Sequence, residues 1–279
     1  MLLPQSYIDN IINTALDEDI NYIDVTTDYL ISDHQYSDAY YIAKDNGVLC
    51  GIEVAARVFE IIGGDVTFRI LKSDGDEIKK GDILARMHGS TKTLLKGERT
   101  ALNILQHMSG IATMTNRCVK LCEGTNAIVT DTRKTLPGLR RLQKYAVTVG
   151  GGRNHRYNLS DGAMLKDNHI DAYGSIENAV EKLREKIGHM VKIEVEVRSM
   201  RELREAIDAG ADIVMLDNMT TEQMAEAVKY TNGAVPLEAS GNITEENIRK
   251  VAETGVDIIS LGALTHSVKA FDISMRIGK

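Results

Sequence analysis

The second half of the chain repeats strand, loop and helix at a nearly constant interval, and this limits the fold more than any other feature. The runs Val191 to Val197, Asp212 to Asp217, Val235 to Ala239 and Asp257 to Leu261 are short and largely apolar. Their centres near Ile193, Val214, Pro236 and Ile258 lie 21, 22 and 22 residues apart. Between them, Met200 to Ala209, Thr221 to Tyr230 and Thr244 to Thr254 read as helices. A helix between two strands returns the chain to the same end of the sheet, so the strands are expected to run parallel. Two earlier runs, Ala127 to Asp131 and Ala163 to Lys166, bring the count to six, fewer than the eight of a closed barrel, and an irregular, incomplete (β/α) barrel is expected.

The first 110 residues or so read differently. Ile8, Ile11, Ile12, Ala15 and Leu16 recur at helical spacing, and the strand-like runs Ala39 to Ala43 and Val66 to Leu71 are separated by turn signals such as Asp45-Asn46-Gly47. This pattern predicts an α+β domain with a largely antiparallel sheet. A long helical region follows from Lys92 to about Cys122, in which Gly110 is a candidate break or bend. A length of 279 residues accommodates two domains.

Charge narrows the function. With 33 Lys+Arg against 40 Asp+Glu the net charge is −7, which argues against a general nucleic-acid binder and against adsorption to anionic membranes. No apolar run approaches the ~20 residues of a membrane span, and the first ten residues lack a signal-peptide pattern. A cytoplasmic protein is the expectation. Cys50, Cys118 and Cys122 are too few for a disulfide framework, and no His or further Cys beside Cys118 and Cys122 completes a zinc site.

The average charge conceals a basic segment. From Asp131 to His169 there are eight Lys and Arg (133, 134, 140, 141, 144, 153, 156, 166) against three Asp (131, 161, 167), a balance of +5 that leaves −12 for the remainder. Inside it, Gly150-Gly151-Gly152 precedes Arg153-Asn154-His155-Arg156. Three glycines permit a sharp turn or close approach to a ligand, and the adjacent Arg and His suit carboxylate or phosphate oxygens, so a bound polyanion is expected. Arg140, Arg141 and Lys144 follow the Pro137-Gly138 turn at helical spacing and read as a solvated helix face.

Barrel enzymes carry their reactive groups at the C-terminal ends of the strands. Those ends hold Asp131, Thr132, Arg133 and Lys134; Lys166, Asp167, Asn168 and His169; Glu194 and Glu196; Asp217 and Asn218; Glu238, Ser240, Gly241 and Asn242; Gly262 and Thr265. Alternation in Ile193-Glu194-Val195-Glu196-Val197 puts both glutamates on one face. If that face is the barrel interior, they need cationic partners or a metal. Ser240-Gly241-Asn242 and Leu261-Gly262-Ala263 follow consecutive late strands, where loops and helix N-termini offer N–H groups to phosphate. Each is also an ordinary turn sequence. No P-loop or Rossmann glycine pattern occurs.

Together these motifs resemble quinolinate phosphoribosyltransferases. The resemblance rests on Thr132-Arg133-Lys134-Thr135-Leu136-Pro137-Gly138-Leu139-Arg140, Lys144-Tyr145-Ala146-Val147, the run from Gly150 to Arg156, and Lys166-Asp167-Asn168-His169. It extends through Asp24-Val25-Thr26-Thr27, Gly97-Glu98-Arg99-Thr100, Leu216-Asp217-Asn218, Glu238-Ala239-Ser240-Gly241-Asn242 and Ser260-Leu261-Gly262-Ala263-Leu264. Leu136 and Arg153 depart from the usual Thr and His.

The resemblance implies an N-terminal α/β sandwich over residues 1–113, with 268–279 packing on it, and an irregular barrel over 114–267. It implies the conversion of quinolinate and phosphoribosyl pyrophosphate to nicotinate mononucleotide, pyrophosphate and CO2. Carried onto this sequence, Arg133, His155, Arg156 and Lys166 would hold the quinolinate carboxylates, with Thr132 beside them. Lys134, Glu196 and Asp217 would surround the ribose and pyrophosphate, the two acids meeting Mg²⁺ directly or through water. Ser240, Gly241, Asn242, Gly262, Ala263 and Leu264 would take the 5′-phosphate. A homodimer is implied in which Arg99 reaches the partner's site. A relative on the same fold with another acceptor, or a non-catalytic anion binder, are the competing expectations.

Overall fold

The computed structural model describes residues 3–63 and 65–278. Along the chain, α1 (Gln5–Asp19), α2 (Val25–Leu30), β1 (Tyr36–Ala43), β2 (Gly47–Val48), α3 (Ile52–Ile62), β3 (Thr67–Ile70), β4 (Glu77–Ile78), β5 (Ile83–Ser90) and α4 (Thr91–Leu121) come first. Then follow β6 (Ile128–Thr130), α5 (Arg140–Val149), β7 (Ala163–Leu165), α6 (Asp167–Tyr173), α7 (Ile176–Lys186), β8 (Ile193–Val197) and α8 (Met200–Asp208). The chain continues through β9 (Ile213–Asp217), α9 (Thr221–Thr231), β10 (Leu237–Ser240), α10 (Ile248–Ala252), β11 (Ile258–Ser260), α11 (Ala263–His266) and β12 (Ile273–Ile277).

These elements form two compact units. The first takes the chain up to Asn116 with Leu136–Gly151 and the residues from Ser267 onward; the second takes Arg117–Thr135 and Gly152–His266. The stretch 136–151 thus belongs to the first unit, although the bounds implied by the resemblance put it in the barrel.

In the first unit an antiparallel sheet has the order β12-β1-β5-β3, and β2 pairs with β4 in a short ribbon. Ala39, Tyr41 and Ala43 alternate inward on β1 and bury with Phe59, Leu84 and Leu105. α2 starts where it does because Asp24 accepts the N–H groups of Thr26 and Thr27. α4 runs without interruption through Gly110. That glycine is a contact rather than a bend, since a Cβ there would run into the backbone oxygen of Lys269. The same neighbourhood docks β12: Gln106 donates to the Ile273 carbonyl at 2.7 Å, and its own carbonyl accepts the Phe271 N–H at 2.9 Å.

α5 corrects one expectation. Arg141 lies on the surface over the Tyr7 ring, but Lys144 is fully buried, so this is not a solvated face. Gly150 corrects another. A Cβ there would stand 2.5 Å from the Ala112 carbonyl oxygen and 2.7 Å from Thr115, so the first of the three glycines permits helix packing and not ligand approach.

The second unit is a six-stranded, all-parallel sheet in the order β6-β11-β10-β9-β8-β7, an incomplete α/β barrel. Its register aligns the strand ends: Ser240 pairs with both Ser260 and Asp217, and Ser260 with Thr130. The loops that carry chemistry therefore emerge at one level. β10 begins one residue after Pro236, whose carbonyl still accepts the Val214 N–H at 3.1 Å. α10 is shorter than its periodicity suggests, because Asn247 ties the preceding turn: its side chain accepts from Thr244 N–H and donates to the Asn242 carbonyl.

Candidate active site

The strand ends of the second unit enclose a cavity of about 510 Å³. Thirteen of the residues singled out from the sequence line it: Thr132, Arg133 and Lys134 beyond β6, His155 and Arg156, Lys166 after β7, Glu196 on β8, Asp217 and Asn218 at the end of β9, and Glu238, Ser240, Gly241 and Asn242 on and just after β10. Gly262, Ala263 and Leu264 do not line it. Gly262 nevertheless sits against the Lys134 side chain, where a Cβ would come within 3.0 Å of Lys134 Cδ, while Leu264 is core. Arg99 lies in the first unit, exposed on α4.

The buried carboxylates have hydrogen-bond donors beside them, as their cost of burial requires. Lys166 Nζ lies 2.5 Å from Glu196 Oε2. His155 Nε2 lies 3.1 Å from Glu194 Oε2 and 3.6 Å from Glu238 Oε2. His155 Nδ1 accepts the Arg156 backbone N–H at 2.7 Å, so both ring nitrogens are engaged. Asp131, fully buried, fixes the same segment by accepting from His155 N–H at 2.8 Å and Asn154 Nδ2 at 2.7 Å. Arg156 donates to the Gly162 carbonyl at 2.7 Å. Burial and the neighbouring Arg133 charge pull its guanidinium below its ordinary pKa, against the pull of Glu194 and Asp161.

On the far wall the loops after β9 and β10 are laced together. Asn218 N–H donates to the Ser240 carbonyl at 2.9 Å, and Asn242 Nδ2 donates to Asn218 Oδ1 at 2.9 Å. Asn218 and Asn242 hold left-handed backbone, and Gly241, at φ 96°, passes so close to the Asn218 amide that a Cβ would not fit. Asp217 accepts from Asn218 Nδ2 at 3.0 Å and lies 3.5 Å from Arg198 Nε. The result is a cavity in which Arg133, Lys134, Arg156 and Lys166 share the lining with three carboxylates, Glu196, Asp217 and Glu238.

The family model described as the quinolinate phosphoribosyl transferase C-terminal domain matches residues 111–276, and the one for the N-terminal domain matches 24–109. The chain belongs to the quinolinate phosphoribosyltransferase family. A probable carboxylating nicotinate-nucleotide pyrophosphorylase of Bacillus subtilis is 46% identical over 93% of this chain and 90% of its own length. The crystal structure of NadC from Streptococcus pyogenes superposes with a TM-score of 0.96 at 43% identity, covering 100% of this chain and 99% of that one. The nicotinate-nucleotide pyrophosphorylase of Francisella tularensis gives 0.94 at 39% identity, covering 99% and 98%.

In this quinolinate phosphoribosyltransferase-family chain the cavity also contains residues to which sequence spacing gave no role. Met164, Met215 and Ser260 line it, and Arg198 reaches Asp167 at 2.6 Å and Glu196 at 3.9 Å as well as Asp217. Alternation with Asp217 on β9 could have found Met215. Arg198, the residue directly after β8, could have been found from its strand-end position, although its reach to Asp167 and Asp217 on the neighbouring strand ends comes from the fold. His169 acts locally, its Nδ1 accepting the Lys166 N–H at 3.1 Å where α6 begins.

Proposed function

We propose that this chain transfers the phosphoribosyl group of phosphoribosyl pyrophosphate to quinolinate and releases nicotinate mononucleotide, pyrophosphate and CO2, a step of de novo NAD synthesis. The observation that carries the reading is a single cavity with Arg133, Arg156 and Lys166 beside Glu196 and Asp217. A dicarboxylate and a polyphosphate repel one another, and only concentrated cations let them share a pocket.

Arg133 and Arg156 present planar donor forks that suit carboxylates, with Lys166 as a third cation and Thr132 beside them. His155 works from behind, holding the Arg156 backbone through Nδ1. Lys134 and the loop Ser240-Gly241-Asn242 receive phosphate oxygens, and Gly262, Ala263 and Leu264 close that end through the Gly262–Lys134 contact. As pyrophosphate leaves, positive charge develops at the anomeric carbon of the ribose. Glu196 and Asp217 lie where carboxylates would stabilise it. Their oxygen donors also suit a hard divalent cation; Mg²⁺ held there would neutralise the pyrophosphate leaving group. Once the pyridine nitrogen carries the ribose, its positive charge stabilises the carbanion left at the adjacent ring carbon when the carboxylate departs as CO2, and that carbon then takes a proton from solvent. No protein nucleophile is required.

The active form is a homodimer in which Arg99 enters the partner's site. Support comes from the exposed position of Arg99 and from Tyr22, Val25, Tyr29 and Leu30, which lie 63 to 89% exposed at and before α2. The enzyme works in the cytoplasm, and its three buried free cysteines accord with a reducing compartment.

Purified protein with quinolinate, phosphoribosyl pyrophosphate and Mg²⁺ should form nicotinate mononucleotide and CO2 in equal amounts. Product from nicotinate in place of quinolinate, with none from quinolinate, would sink the reading.

A further inference from the structure

Two carboxylates, Glu194 and the cavity-lining Glu238, have no part in the reaction proposed for the cavity. Glu194 and Glu238 are more than nine-tenths buried and meet the same His155 Nε2, and one donor atom from each of the three lies within 4.8 Å of the others. Three such donors could hold a divalent metal, but the histidine argues otherwise. Because Nδ1 accepts the Arg156 N–H, the ring proton of the neutral imidazole sits on Nε2 and faces the carboxylates, where a metal would need a lone pair. One N–H is then shared by two buried carboxylates that repel each other, and the arrangement is short of one proton.

The groups facing Glu238 are few. β8 contributes Glu194, the 152–156 segment His155 and Arg156, β9 Met215, and β11 Ser260. His155, Arg156 and Glu238 also line a second cavity of about 290 Å³, toward the N-terminal ends of the strands, lined further by Lys192 and Asp161. Glu238 therefore stands between the two cavities.

Resting on the proposed function, we infer that Glu238 carries a proton while the pyridine dicarboxylate is bound and donates it to Glu194. The wall beneath a dianionic substrate then holds one negative charge instead of two. Glu238 is a positioning residue: it acts through His155, whose other nitrogen orients Arg156. Burial and the Glu194 charge, opposed by His155, hold its carboxyl up at about 7 in the free protein. An arriving dianion draws the proton in.

The test is the pH dependence of the quinolinate KM. In the wild type it should be flat below neutrality and rise above it by up to about tenfold per pH unit, the limit for one linked proton, while the phosphoribosyl pyrophosphate KM follows a different course. Glu238→Gln, which imitates the neutral carboxyl, should remove the rise. A quinolinate KM without a rise in the wild type, or the same rise in Glu238→Gln, overturns the inference while leaving the functional reading intact; the latter result would assign the proton to His155. If the wild type does not use quinolinate, the functional reading fails, and carbon-13 NMR of the Glu238 carboxyl in the free protein decides the rest. Ionisation near neutrality supports the inference, and ionisation in the ordinary glutamate range overturns it.

Discussion

Arg156 stands between opposing influences, with Arg133 on one side and Glu194 and Asp161 on the other, and a dicarboxylate in the cavity would resolve them in favour of its charge. Arg156→Ala should therefore raise the quinolinate KM roughly tenfold to a hundredfold, the worth of a charge-assisted hydrogen bond. Steady-state kinetics should show the phosphoribosyl pyrophosphate KM changing far less; an equal effect on both would remove Arg156 from its place. At this scale the sequence reveals residue types better than partnerships. Arg, Lys and Asp at strand ends were legible from alternation and position, whereas the burial of Lys144 and the reach of Arg198 across two strand ends depend on contacts made far along the chain.

Elements depend on their ends and closest contacts. Asp24 caps α2, and its hydrogen bonds to Thr27, chiefly, and Thr26 hold its carboxyl below the ordinary range. Asp24→Ala should cost about 1 kcal/mol in urea unfolding at neutral pH. Because the folded pKa is the depressed one, that stabilisation is complete above the unfolded carboxylate pKa and is lost as pH falls through the folded value. The two proteins should thus converge in acid. Gly110→Ala should lower stability by about 1–3 kcal/mol through overpacking on the Lys269 backbone, and a thermal melt unchanged from wild type would show that α4 can move aside. The strand-helix period was readable because parallel strands repeat both their burial and their connections. The short α10 and the unbroken α4 were not, since Asn247 and Gly110 act through particular neighbours.

For the molecule as a whole, the composition was informative only once divided: a net −7 hides the +5 segment that supplies Arg133, Lys134, Arg156 and Lys166 to one cavity. Removing divalent cation with EDTA should stop turnover, and Mg²⁺ should restore it, as followed by CO2 release. If Arg99 serves the partner's site, Arg99→Ala and Lys134→Ala proteins, each impaired alone, should regain roughly a quarter of wild-type activity on mixing, as random exchange in a two-fold dimer allows. No gain after exchange, verified by mass spectrometry, would place Arg99 in its own subunit's site. The pairing of β12 with β1 bears on how the protein is made. On the ribosome, one side of β1 has no partner until residues 273–277 have emerged, after every strand of the second unit. Throughout that interval an unpaired strand edge is open to other nascent chains. Chaperone demand should therefore persist after the strands of the second unit have been made, and a stall shortly before Ile273 should be more prone to aggregation than one placed after Ile277 has emerged.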